Sequence, residues 1–193
     1  MSTTERCPWC QNYGPFVSYH DEEWGVPVHD DRHLFEMLTL EGAQAGLNWL
    51  TVLKRRTAYR AAFDQFDVGK IARYDEQRIE ELVTNPAIIR HRLKIISVVK
   101  NARAFLKIQE DFGRFDLFLW QFVDGEPVTN HFTQPSAVPT STRESDQLSK
   151  ALKERGFSFV GTTICYAYMQ GVGLVNDHLT SCFRWSEIQQ LGR

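Results

Sequence analysis

The chain predicts an all-α fold. Three observations lead there. Apolar residues recur at helical spacing through most of its length, capping residues stand at the ends of those stretches, and no two alternating runs flank a hairpin turn. No internal repeat or low-complexity segment interrupts the pattern. A helix starts at Asp30 or Asp31 and runs to about Gly46. A second follows from Asn48, a good N-cap, to about Phe63. Asp75 caps a short helix to about Thr84, with Ile79, Leu82 and Val83 inward, and Asn85-Pro86 stops it. A long helix spans about His91 to Glu110, with Ile95, Ile96, Val99, Ala102 and Leu106 on one stripe. A shorter one covers Phe115 to Val123. The turn-forming stretch DGEPVTNHFTQPSAVPTS, 124–141, reads as an exposed loop. Ser141 or Thr142 caps a helix that ends at Gly156, and a last apolar helix covers roughly 161–171.

Bulk properties narrow the class. The 193 residues suit one domain, or two small lobes sharing a core. Apolar residues make up 42%, enough to bury an interior, which excludes a disordered chain. No apolar run approaches the roughly 20 residues of a membrane span. The N-terminus MSTTERCPWC shows no signal-peptide segment, so a cytoplasmic setting away from membranes is expected. A net charge of −2 announces no polyanionic partner globally, so such a partner would need a local basic patch.

Without a secretory signal, the four cysteines are expected to bind metal or to be buried rather than to pair. Cys165 sits in the apolar stretch GTTICYAYMQG and reads as core. Near the C-terminus, NDHLTSC sets His178 and Cys182 four apart, on one side of a helical turn. The N-terminus supplies Cys7, Cys10 and His20. That makes five candidates for the four seats of a tetrahedral site, and mixed thiolate and imidazole favour zinc. One such site would join the two chain ends, grouping residues 1–30 with 172–193 around a helical core over 31–171. Four protein ligands leave no position for water, so the metal would be structural; three would admit a zinc hydrolase. His29, His33, His91 and His131 have no partner at ligand spacing.

The sharpest chemical signal is LFEMLTLEGAQAGLNW. Leu34, Met37, Leu38 and Ala45 form a stripe, and Glu41 falls in the middle of it. An ionised carboxylate there costs several kcal/mol unless paired or hydrogen-bonded. It points either to an arginine partner or to a pocket that wants negative charge. Glu36 and the run Asp21-Glu22-Glu23 lie off such stripes and read as solvated. Trp9, Phe16, Tyr19, Trp24 and Trp49 are close by in sequence, and a carboxylate among flat rings suits a flat, cationic ligand.

Between Asp75 and Lys107 two helices flank the turn NPAIIRHR. Arg90, Arg92, Lys94, Lys100, Arg103 and Lys107 follow with no acidic residue among them, and Lys54, Arg55, Arg56 and Arg60 add a second cluster. Backbone N–H groups at the start of the second helix form a phosphate site. A helix, a tight turn and a basic exit are how helix-hairpin-helix modules grip a DNA backbone without reading sequence.

Taken together, CPW, YHDEEWGVP, LFEMLTLEGAQAGLNWLTVLKRR, IIRHRLKI, PTSTRESDQLSKALKERGFSFVGTTICYAYMQ and GLVNDHLTSC identify the chain as resembling the bacterial DNA-3-methyladenine glycosylase I family. The resemblance spans almost the full length. It implies an all-α helix-hairpin-helix glycosylase fold, a single unit with the hairpin at about 75–107 and the termini pinned by one structural Zn2+. It implies Cys7, His20, His178 and Cys182 as zinc ligands, with Cys10 spare. It implies Trp49 stacking on an extruded base, Glu41 and Tyr19 bonding its edge, and Trp9, Phe16 and Trp24 as the remaining wall. Gly46 and Leu47 would sit at the gap left in the duplex, and Ala87, Ile88, Ile89 and Arg90 would face the phosphates. The implied activity is release of 3-methyladenine from double-stranded DNA by a monomer working at the nucleoid, with no strand cleavage. Phe16 stands where the family has tyrosine. Ala87 stands where it usually has glycine, which disfavours a positive φ. Asp111, where other helix-hairpin-helix glycosylases carry a catalytic aspartate, reads as a helix-end residue. A zinc-stabilised DNA-binding module without chemistry would need the hairpin but neither Glu41 nor the rings.

Overall fold

The computed structural model describes residues 5–10 and 14–191. Among these, the helices expected from the sequence form near their expected bounds. The first segments are α1 (Gly14–Glu22), α2 (Asp31–Gln44), α3 (Trp49–Leu53) and α4 (Arg56–Ala62). Then come α5 (Val68–Ile71), α6 (Glu76–Thr84), α7 (Arg92–Phe112) and α8 (Phe115–Trp120). The chain ends with α9 (Arg143–Glu154), α10 (Thr162–Gly171) and α11 (Phe183–Leu191). Capping explains the starts. Asp30, Asn48, Asp75 and His91 each accept a hydrogen bond from the backbone N–H three residues on. Thr142 and Ser145 form a reciprocal capping box at the start of α9.

The core is organised around α2, which packs against α3, α7, α8 and α10. Every residue from Leu34 to Ala43 is buried. A helix covered on all sides has no solvated face, so the stripe through Leu34, Met37 and Leu38 was too narrow a reading. Glu36 is therefore not solvated. It is 6% exposed and accepts from Arg56 Nε at 2.7 Å and Arg60 Nε at 2.7 Å. Arg56 also donates to Glu23 at 2.6 Å, and Arg6 grips Asp21, so the acidic run is also mostly paired. Glu22 alone of the three is exposed.

Four other expectations are corrected. The helix expected over 48–63 breaks at Lys54-Arg55 into α3 and α4, which turns Arg56 and Arg60 toward Glu36. The loop 124–141 contains β1 (Val128–Thr129), which pairs in parallel with β2 (Val175–Asn176). NDHLTSC is not helical; a turn closed by Cys182 N–H on Leu179 O brings His178 and Cys182 together. The helix over 161–171 is not the last, because α11 follows; only Ile188 of α11 is buried, so it shows no periodic signal. Gly173, at φ +76°, lets the chain pass so near Val26 and Pro27 that a Cβ would stand 2.4 Å from them. That close passage sets residues 24–28 against the end of α10, with Gly25 N–H on Gln170 O at 3.0 Å. No helix among the described residues is long and apolar enough to cross a membrane.

Candidate functional site

Two constellations meet on one side of the molecule. The first is a buried group of Cys7, His20, His178 and Cys182, whose ligand atoms all lie within 4.8 Å of one another. His178 Nδ1 is 3.6 Å from both sulfurs, and His20 Nε2 is 3.4 Å from Cys182 Sγ. Zinc bonds of about 2.3 Å to sulfur and about 2.0–2.1 Å to nitrogen, at tetrahedral angles, put neighbouring S and N about 3.5 Å apart. The donor set fits that ion. The second ring nitrogens are held as ligating imidazoles require: His20 Nδ1 lies 2.7 Å from Asp21 Oδ1, and His178 Nε2 3.0 Å from Trp24 O. Cys182 is drawn far below the ordinary thiol range by hydrogen bonding from Cys7 and, less, from the two imidazoles. Cys7 is correspondingly raised, first by that same bond and then by burial. Cys10 lies outside the group and donates to Cys7 O at 3.1 Å.

The second constellation is a cavity of about 270 Å³. Trp9, Tyr19, Trp24 and Trp49 line it together with Glu41. Trp9 and Trp24 meet edge-on at 5.0 Å, and Tyr19 and Trp49 tilt at 5.4 Å. The metal-ligand group backs directly onto this wall: the His178 ring lies 4.6 Å from Trp24, and His20 lies 5.4 Å from Trp9. Phe16 does not line the cavity; it packs edge-on behind Trp9 at 5.9 Å.

Glu41 is the electrostatic centre of the cavity. It is 3% exposed, and its Oε2 has no hydrogen-bond partner among the described residues. No arginine answers it, in contrast to Glu36 one and a half turns earlier. Desolvation pushes its carboxyl up to about 8. Tyr19 is raised well above the ordinary phenol range, first by burial and then by the Glu41 charge. Trp49 Nε1 is a second buried polar atom without a partner among the described residues. A cavity with flat walls and unsatisfied polar atoms is built for a flat, polar occupant.

Sequence reasoning missed Gln44, Ala167, Gln170, Asp177 and Leu179, which also line the cavity, as do Pro135 and Val138 from the loop before α9. Gln44, Ala167, Gln170, Asp177 and Leu179 all lie inside the motifs quoted above, so the signal was present and carried no assigned role.

Beside the cavity, Gly46 and Leu47 form an exposed turn between α2 and α3, with Gly46 at φ +77° and Leu47 42% exposed. Lys94 Nζ pins this turn, donating to Ala43 O at 2.8 Å and Ala45 O at 2.6 Å. The α6–α7 turn holds Ala87, Ile88, Ile89 and Arg90. Asn85 Oδ1 accepts from Ala87 N–H at 2.9 Å, and Ala87 takes no positive φ, so alanine is compatible there. Ile88 is buried, Ile89 half-buried, and Ala87 and Arg90 exposed. Fewer basic residues are free than the sequence suggested. Arg92 is held by Glu76 and Glu80, Lys94 by the carbonyls above, and Arg103 by Ala72 O at 2.8 Å. Arg55 donates to Thr51 O at 3.0 Å, and Arg56 and Arg60 serve Glu36. Arg90, Lys100 and Lys107 remain exposed. Asp111 sits at the exposed end of α7, paired with Arg155 at 3.1 Å.

Comparison with known proteins follows the same lines. The methyladenine glycosylase family matches residues 9–185. The chain is 53% identical to DNA-3-methyladenine glycosylase 1 of Escherichia coli strain K12 over 178 residues, covering 92% of this chain and 95% of that protein. A crystal structure of 3-methyladenine DNA glycosylase I superposes with a TM-score of 0.90 at 54% identity, covering 93% of this chain and 98% of the other. A Staphylococcus aureus glycosylase I, solved to explain 3-methyladenine recognition, superposes at 0.90 with 37% identity, covering 93% and 96%.

Proposed function

The chain belongs to the methyladenine glycosylase family, and from that premise we propose that it excises 3-methyladenine from alkylated DNA as the first step of base excision repair. The observation that supports this most is Glu41, a buried carboxylate with an unsatisfied oxygen in a cavity walled by rings. A purine methylated at N3 is cationic before any chemistry occurs. Breaking the bond from its N9 to the sugar C1′ returns the electron pair to the ring and neutralises that charge. No group need protonate the leaving base. A water oxygen then bonds to C1′ and loses its proton to solvent.

The residues divide that work. Extrusion of the nucleotide costs a few kcal/mol of unstacking, least for a damaged base. Leu47, exposed on the Gly46 turn, fills the gap in the duplex. The α6–α7 hairpin, from Ala87 to Arg90, holds the backbone through its N–H groups and Arg90. Trp49 stacks on the base, Tyr19 and Glu41 bond its edge, and Trp9 and Trp24 close the wall. Glu41 adds a selection. With its carboxyl at about 8, roughly a tenth is ionised at neutral pH in the empty cavity, and a cation entering beside it completes the ionisation. Ordinary adenine brings no charge and gains nothing from that step. The resulting anion also stabilises positive charge on the sugar in the transition state. No lysine lines the cavity among the described residues, which supports hydrolysis without strand cleavage. Cys7, His20, His178 and Cys182 would hold one Zn2+, whose four protein ligands leave it a structural clamp with no open position.

The test is release of free 3-methyladenine from methylated duplex DNA. The protein should release it, and Glu41→Gln should release it far more slowly while staying folded. No release above a buffer control, or a glutamine variant as fast as the parent, refutes the proposal.

A further inference from the structure

One face of the cavity is built from residues to which the sequence motifs assigned no role. Ala167, Gln170 and Gly171 are spaced three and four apart along α10, on one helical face. Ala167 and Gln170 line the cavity. A Cβ on Gly171 would stand 3.1 Å from Tyr19 Oη and 3.7 Å from Glu41 Oε1. Gly171 thus lets α10 lie close against Tyr19 and Glu41, and Gln170, next to it in the chain, lines the same cavity. Its amide is not free to turn. Gln170 Nε2 donates to Asp177 Oδ2 at 2.8 Å. Asp177 is 2% exposed and is itself fixed, accepting from Tyr166 Oη at 2.6 Å and Asn130 Nδ2 at 2.7 Å. A carboxylate in contact with three donors can only accept, so it selects the NH₂ end of the Gln170 amide. The carbonyl end, Oε1, has no hydrogen-bond partner among the described residues.

We propose that Gln170, oriented by Asp177, is a specificity-determining residue whose Oε1 accepts from the exocyclic amino group of the extruded base, so that an alkylated adenine is preferred to an alkylated guanine. The inference rests on the reading that the cavity takes an extruded purine. Adenine carries an amino group at ring position 6, with two N–H donors; guanine carries a carbonyl there. An amino group can serve both Glu41 and Gln170. A carbonyl leaves Gln170 Oε1 facing lone pairs, the kind of mismatch that discriminates between bases. Glu41 cannot supply this discrimination alone, because a carboxyl can meet a carbonyl by keeping its proton. An amide locked by Asp177 has no such freedom. Asp177 is a positioning residue that acts through Gln170.

The experiment uses duplex DNA methylated to carry both 3-methyladenine and 3-methylguanine. Single-turnover release of each base is followed for the parent protein, Gln170→Leu and Asp177→Asn, with thermal midpoints as the folding control. Competition of the two free bases for tryptophan fluorescence quenching gives the same ratio without chemistry. Gln170→Leu should lower the adenine-to-guanine preference by about ten-fold, the loss of one hydrogen bond. Asp177→Asn, whose amide no longer dictates how Gln170 faces, should lower it in the same direction by less. An unchanged preference in Gln170→Leu, or equal losses for the two bases, overturns the inference. If the parent protein releases neither base, the excision reading itself fails and this inference falls with it.

Discussion

Replacing Glu41 by glutamine should stabilise the protein in alkali and leave it nearly unchanged in acid. Burial raises this carboxyl from 4.5 to about 8. A carboxyl raised on folding holds its proton more tightly in the folded chain than in the unfolded one. Its favourable contribution is complete below the unfolded value and is lost as pH rises through about 8. Each unit corresponds to about 1.4 kcal/mol; because titration is only partial near both ends, the interval from about pH 5 to about pH 8 counts as roughly 2.5 units and removes about 3.5 kcal/mol. Glu41 is fully enclosed, so solvent screening does not reduce the figure. Glutamine keeps the shape and cannot ionise. Urea unfolding of parent and variant across this range isolates the effect, because every other titration cancels in the difference. The variant should gain about 3.5 kcal/mol on the parent over that interval. A difference that stays flat with pH would mean that Glu41 is hydrated or paired. The account of the cavity as a desolvated carboxyl awaiting a cation would then be wrong.

Glu36→Ala should cost about 2–3 kcal/mol, because Arg56, 8% exposed, loses its buried partner and keeps only the half-buried Glu23; calorimetry reads the loss, and a change under 1 kcal/mol would show that water replaces the carboxylate. Lys94→Met keeps the stem but removes the ammonium from Ala43 O and Ala45 O; about 2 kcal/mol of stability should go, and excision should fall while affinity for free 3-methyladenine holds. Parallel loss of free-base affinity would place the damage in the cavity instead of the Leu47 turn. Elemental analysis should find one zinc per chain, and a strong chelator or Cys182→Ser should lower the thermal midpoint and excision together, whereas Cys10→Ser should do neither. Loss of excision with an unchanged midpoint would indicate an open, catalytic metal.

Helix starts were legible because capping is local chemistry. Asp30, Asn48, Asp75 and His91 each announce a helix within four residues of themselves. Glu41 was legible for a related reason, since a charge inside an apolar stripe is visible without knowing the fold. Glu36 was misread because no local pattern tells a helix buried on one side from one buried on all sides. Only the packing of α2 against α3, α7, α8 and α10 decides it. The same limit hid α11, the β1–β2 pairing and the Gln170–Asp177 bond, each of which depends on partners far away in sequence or on no periodicity at all. Spacing alone left five candidates for the metal seats; geometry leaves Cys10 out.

The pairing of Cys7 with His178, 171 residues apart, bears on how the protein comes into being. A ribosome delivers the N-terminal cysteine long before the C-terminal histidine emerges, and closing so large a loop carries a substantial entropic cost. Trp9 and Trp24 lean on the imidazoles of that junction, so a nascent or C-terminally clipped chain has half a receptacle. Removal of residues 180–191 would take away nothing that lines the cavity, yet it removes Cys182 and with it the junction that holds those indoles. The aromatic wall of the cavity is thereby held in place only when residues from both sides of that 171-residue separation have come together.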